Sequence, residues 1–144
     1  MTKALIVEDD ASTLNALAAL VELEGFETRV ARDLATARQA IDGWSPELIL
    51  ADLYLPDGQG TELLEAARED PTLEVIVITG DASVATAVEA LRLGAYDYLT
   101  KPLDEARLTS LLANFGRTQD LKTEIVDLRG TLRQLGRFGS MVRS

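Results

Sequence analysis

Short apolar runs alternate with amphipathic stretches along most of the chain. Ala4-Leu5-Ile6-Val7 is a compact strand-like run, and behind Ser12 or Thr13 come Leu14, Leu17, Ala18 and Val21 at helical spacing. Gly25 ends that helix, and residues 26–31 alternate as a strand. The spacing predicts a second helix over 34–41, stopped by Gly43, and Leu48-Ile49-Leu50-Ala51 reads as a buried strand. Pro56-Asp57-Gly58 is turn chemistry, and 61–68 is helical. Val75-Ile76-Val77-Ile78 is the most β-branched run in the chain. A helix over 82–93 closes at Gly94, residues 96–99 form a short strand, and Pro102 opens a last helix.

Five strands alternating with helices give the βαβ pattern of a parallel sheet covered on both faces. Right-handed crossovers leave few topologies, and at this size the expected one is a flavodoxin-like, doubly wound α/β fold of strand order 2-1-3-4-5. In such sheets the functional cleft lies beyond the carboxyl ends of the strands, beside the point where the strand order reverses. The residues just after each strand therefore carry the functional argument.

The 144 residues suit one domain with an appendage, and an apolar fraction of 47 % makes the chain globular. With no Cys and no His, disulfide frameworks, Cys or His zinc sites, thiol nucleophiles and His-based triads are excluded. The lack of cysteine fits a reducing cytoplasm. Met1-Thr2-Lys3-Ala4 is not the start of a signal peptide, and no apolar run approaches the roughly 18–20 residues that span a membrane. The net charge of −10 is unevenly spread. Residues 1–103 hold 7 basic and 19 acidic groups, whereas residues 104–144 hold 7 basic and 5 acidic. So acidic a body repels phosphates, which argues against direct nucleic-acid contact.

Most of these acids are a solvated surface, but some stand at strand ends. Glu8, Asp9 and Asp10 follow the first strand, Asp52 the third, Thr79 the fourth and Lys101 the fifth. Taken singly, an Asp after a strand is most often a cap, Thr79 a capping hydroxyl and Lys101 a solvated charge. Jointly they deliver carboxylates, a hydroxyl and an ammonium to one edge. Carboxylates that close need a neutraliser, and a hard dication such as Mg²⁺, with Mn²⁺ as the alternative, fits oxygen donors. The set forms a cradle for a metal and a phosphoryl group.

In residues 4–115 the chain resembles a receiver domain of a two-component response regulator. The resemblance rests on Leu5-Ile6-Val7-Glu8-Asp9-Asp10, on Leu50-Ala51-Asp52-Leu53-Tyr54-Leu55-Pro56-Asp57-Gly58, on Val77-Ile78-Thr79-Gly80, and on Gly94-Ala95-Tyr96-Asp97-Tyr98-Leu99-Thr100-Lys101-Pro102. It implies that Asp52 is the phosphoacceptor, attacking a phosphohistidine of a sensor histidine kinase. The protein would then be mainly regulatory, with self-catalysed phosphotransfer and autodephosphorylation at Asp52. Glu8 and Asp9 would be the acidic pair, with Asp10 a residue at the start of the helix. Asp9, Asp52 and the backbone carbonyl of Tyr54 would ligate Mg²⁺, with Glu8 acting through water. Lys101 would pair with phosphoryl oxygens, Thr79 would hydrogen-bond one of them, and Tyr98 would be the switch aromatic. The Lys101–Pro102 bond is expected to be cis, as in this family. Tyr54 and Asp81 fall where the family tunes water access, and a bulky Tyr54 predicts slow self-dephosphorylation.

Beyond the receiver, Leu121, Ile125, Leu128, Leu132 and Leu135 are spaced 4, 3, 4 and 3, a heptad seam that predicts a dimerising coiled-coil linker over 116–144. An amphipathic helix packed on its own domain is the alternative. Glu124 at g and Arg129 at e of the next heptad would pair across a parallel dimer. Together with the Leu55-Pro56-Asp57-Gly58 turn, the linker most resembles NtrC-class regulators, in which an effector ATPase and a DNA-binding module follow. Gly139-Ser140-Met141-Val142 resembles the start of that ATPase. The homodimer would form through the linker and the helix 4–strand 5–helix 5 face. No GxxxxGK[ST] loop is present, so the sequence reads as an excised regulatory fragment, with a stand-alone receiver or adaptor as the alternative. A nucleotide-binding flavodoxin-like protein and a Mg²⁺-dependent phosphatase are weaker rivals. Gly58-Gln59-Gly60 lacks the third glycine of a dinucleotide loop, and no second general acid accompanies Asp52.

Overall fold

The computed structural model describes residues 2–80 and 83–116. In chain order these form β1 (Lys3–Val7), α1 (Ala11–Leu23), β2 (Glu27–Ala31), α2 (Leu34–Trp44) and β3 (Leu48–Asp52). A small hairpin follows, β4 (Tyr54–Leu55) and β5 (Gly58–Gln59). Then come a 3₁₀ turn at Gly60–Leu63, α3 (Leu64–Glu69), β6 (Glu74–Thr79), α4 (Val84–Arg92) and β7 (Asp97–Thr100). By its contacts the chain divides after Ser110. Residues 105–110 are helical, as are residues 111–116 of the following unit. The predicted seam of Leu121, Ile125, Leu128, Leu132 and Leu135 lies outside the described residues.

The five long strands form a parallel sheet in the order β2-β1-β3-β6-β7, the flavodoxin-like topology expected from the alternation of elements. Its central strands are apolar on both faces because helices cover both. Leu5, Val7, Ile49, Ala51, Val75 and Val77 point into a core completed by Leu34, Ala37 and Trp44 of α2, Leu63, Leu64 of α3 and Ala90 of α4. The alternate residues Ala4, Ile6, Leu48, Leu50, Ile76 and Ile78 are fully buried on the opposite face. Among the described residues no helix is long and apolar enough to cross a membrane.

Three elements depart from the sequence reading. The last helix begins at residue 105 rather than at Pro102, with the Asp104 carboxylate accepting from the N–H groups of Ala106 and Arg107 at its start. Helix α2 does not stop at Gly43 but runs one residue further, where Trp44 is buried; Ser45 then ends it in the left-handed conformation at φ 54°. Burial of a large aromatic outweighs the roughly 1 kcal/mol that a helical glycine costs. Pro46 follows at once and bars continuation. The third helix, expected over 61–68, opens as the tighter 3₁₀ turn. There the Gln59 N–H donates to Glu62 Oε2 at 2.9 Å, and the reciprocal bond completes a capping box.

Candidate functional site

Because β1, β3, β6 and β7 are parallel, their carboxyl ends share one edge. The registers Val7↔Ala51, Ala51↔Val77 and Thr79↔Thr100 bring residues 8, 52, 79 and 101 to neighbouring positions there. Backbone bonds carry the alignment past the strand ends. The N–H of Glu8 donates to the Ala31 carbonyl (3.0 Å), that of Leu53 to Ile78 (2.7 Å) and that of Lys101 to Thr79 (2.9 Å).

The side chains converge. Lys101 Nζ donates to Glu8 Oε1 and to Asp52 Oδ2, both at 2.9 Å. Glu8 is 1 % exposed and Asp52 7 %, whereas Asp9 stands in solvent at the rim. One carboxylate oxygen from each of Glu8, Asp9 and Asp52 lies within 4.8 Å of the others. The Tyr54 N–H donates to Asp52 Oδ1 at 3.3 Å, while the residue itself is 54 % exposed. Thr79 is buried at the end of β6. Tyr98 is half-buried on β7 and packs against the core; its carbonyl accepts a bond from Arg107 at 3.4 Å. The Lys101–Pro102 peptide is cis.

Asp10 has a different job. Its carboxylate caps α1, accepting from the Thr13 N–H at 2.9 Å and from Thr13 Oγ1 at 2.7 Å, and these bonds hold its pKa below the ordinary value.

The electrostatics follow from the crowding. Burial pushes the Glu8 pKa up from 4.5 to about 7; hydrogen bonding and repulsion from Asp52 add to it, and Lys101 only partly offsets it. For Lys101, burial works against the charge, but the bonds to Glu8 and Asp52 prevail and raise its pKa. Three carboxylates face one ammonium, so the fully ionised cluster is two negative charges in excess. An all-oxygen donor set with that deficit suits a hard dication.

Asp57, which the sequence offers as turn chemistry and as part of the receiver-like motif, has a role that neither signals. Its carboxylate accepts from the N–H groups of Leu34 (2.8 Å) and Ala35 (3.1 Å) at the start of α2. The sequence reading also missed Gly60, whose α-carbon lies so close to the Asp52 carbonyl that a side chain there would overlap it. A single sequence signals neither, since each depends on segments brought together by folding.

Residues 4–113 match the model of the response regulator receiver domain, and the chain belongs to that family. It is a receiver domain of a two-component response regulator, and NtrC-class regulators are among its relatives. It is 39 % identical over 109 residues to the photosynthetic apparatus regulatory protein RegA of Rhodobacter capsulatus, covering 75 % of this chain and 59 % of RegA. Over 143 residues it is 34 % identical to the regulatory protein AtoC of Escherichia coli, covering 99 % of this chain but 31 % of AtoC. The crystal structure of NtrX from Brucella abortus in complex with ADP superposes with a TM-score of 0.79 at 37 % identity, covering 90 % of this chain and 29 % of that one. The chain thus spans less than two thirds of RegA and about a third of the other two proteins.

Proposed function

We propose that this domain is a phosphorylation-dependent switch in which Asp52 accepts a phosphoryl group from a phosphohistidine of a sensor histidine kinase. The observation that carries the reading is the placement of Lys101 Nζ at 2.9 Å from both Glu8 and Asp52, inside a cluster of three carboxylates. A merely solvated lysine would not be anchored between two buried acids. In the transfer an Asp52 carboxylate oxygen forms the new bond to phosphorus, the phosphorus–nitrogen bond breaks, and its electron pair stays on the imidazole nitrogen. Lys101 then exchanges a carboxylate oxygen for a phosphoryl oxygen, and the Thr79 hydroxyl donates to another. Glu8, Asp9, Asp52 and the Tyr54 carbonyl would hold Mg²⁺, with Glu8 acting through water. When bound, the ion neutralises the carboxylates and polarises the phosphoryl oxygens.

Tyr98 turns inward as Thr79 moves toward the phosphoryl group, and the β7 side of the domain reports the change. Output passes through residues 116–144, which we assign to a dimerising linker distinct from the receiver at 1–115. By analogy with NtrC-class relatives, of which the chain covers about a third, an ATPase and a DNA-binding module receive it.

The test is intact mass after incubation with Mg²⁺ and acetyl phosphate, beside Asp52→Asn. One added phosphoryl group, absent in the variant and without metal, is the expected result. No gain in a folded protein that binds Mg²⁺ would overturn the reading. Light scattering with and without beryllofluoride tests the linker, and a monomer at high micromolar concentration in both states would refute the dimer.

A further inference from the structure

Helix α2 carries two carboxylates at its amino end, although one suffices to cap it. Asp33, the N-cap, accepts from the Thr36 N–H at 2.8 Å. Asp57 takes the two N–H groups that remain in that turn, Leu34 on Oδ1 at 2.8 Å and Ala35 on Oδ2 at 3.1 Å, from a hairpin more than twenty residues away. Both oxygens are committed to backbone donors at the positive end of a helix, where a carboxylate is most favoured.

The segment so anchored is the one that begins at Asp52. Tyr54 pairs with Gln59 and Leu55 with Gly58. At its base the Gly60 N–H donates to the Leu53 carbonyl at 2.8 Å, and Gly60 lies against the Asp52 carbonyl. At its tip Gly58 adopts φ 151°, and a side chain there would run into Leu34 and Glu62. The hairpin is therefore closed on the Asp52 backbone at one end and tied to α2 at the other.

We infer that Asp57 is a positioning residue: by docking the β4–β5 hairpin onto the first turn of α2, it fixes the main chain of residues 52–54 and, with it, the Asp52 carboxylate and the Tyr54 carbonyl. The inference deepens the phosphoacceptor reading and rests on it for its functional consequence.

The experiment compares Asp57→Ala and Asp57→Asn with Asp33→Ala, which removes a cap from the same helix without touching the hairpin. Amide exchange by NMR in metal-free protein is the first readout. In Asp57→Ala the Gly60 amide is expected to exchange about tenfold faster, together with Leu34 and Ala35, whereas Asp33→Ala should release Thr36 alone. The second readout is the affinity for Mg²⁺ and the rate of phosphorylation by acetyl phosphate. Both are expected to fall roughly tenfold in Asp57→Ala, the usual scale for a residue that supports a ligand from behind. They should stay near wild type in Asp33→Ala and recover in part in Asp57→Asn, which keeps one acceptor oxygen. Wild-type exchange at Gly60 in Asp57→Ala, or equal losses in Asp33→Ala, would overturn the inference. If wild-type protein takes up neither Mg²⁺ nor a phosphoryl group, the phosphoacceptor reading falls, and exchange at Gly60 still decides whether Asp57 docks the hairpin.

Discussion

Glu8 gives the domain a pH dependence whose sign and window can be worked out. In the unfolded chain its carboxyl titrates near 4.5; in the folded, metal-free site, burial and Asp52 move it to about 7. A carboxyl raised by folding binds its proton more tightly in the native state, so its stabilising contribution is complete below pH 4.5 and is lost as pH rises through about 7. The difference corresponds to about 3 kcal/mol across that interval. Asp10 and Asp33, whose pKa values are lowered by their capping bonds, act below the interval and in the opposite direction, so pH 5 to 8 isolates the site. The assay is urea unfolding of metal-free protein from pH 5 to 8, alongside Glu8→Gln, which cannot titrate. Wild-type stability should fall over the range while that of the variant stays flatter, and saturating Mg²⁺ should restore wild type at pH 8. Equal slopes for the two proteins would refute the argument, because the buried carboxyl would then not be the group that titrates.

Other substitutions separate neighbouring roles. Gly60→Ala should cost about 1–3 kcal/mol in urea unfolding, since a methyl group there overlaps the Asp52 carbonyl and the main chain must shift. Asp10→Ala should lower the melting temperature by removing the α1 cap yet leave Mg²⁺ affinity intact, whereas Asp9→Asn should do the reverse; calorimetric titration and thermal melts together read both. Tyr54→Asn should shorten the lifetime of the phosphorylated protein, followed by intact mass after removal of the phosphodonor, because a smaller side chain two residues from Asp52 would leave water freer access to it. A lifetime little changed would remove that role from Tyr54.

The alternation of apolar runs and amphipathic stretches makes the strands and their parallel arrangement legible, because a sheet covered on both faces leaves a continuous apolar signature in strands such as Val75-Ile76-Val77-Ile78, while their order follows from the right-handed crossover rule. The clustering of Glu8, Asp52, Thr79 and Lys101 is legible for a related reason: strand ends are visible in the sequence, and a parallel sheet brings them to one edge. Local rules failed where tertiary packing overrode them. Gly43 reads as a helix stop, but nothing near it announces that Trp44 will be buried and will draw the last turn along. Asp57 reads as a turn former, and its tie to Leu34 and Ala35 has no trace in the spacing of either segment. Position at a strand end is a one-dimensional property; docking between a hairpin and a helix is not.

The ion pairs of Lys101 reach to Glu8 and Asp52, 93 and 49 residues back along the chain. Their donors and acceptors stand at the ends of β1, β3 and β7, and β6 lies between β3 and β7 in the sheet. A chain that has folded its first three strands holds the acids without their cation, which arrives only with β7. The ion pairs of Lys101 thus join the beginning, the middle and the end of the folded sheet, and they are complete only once its last strand is in place.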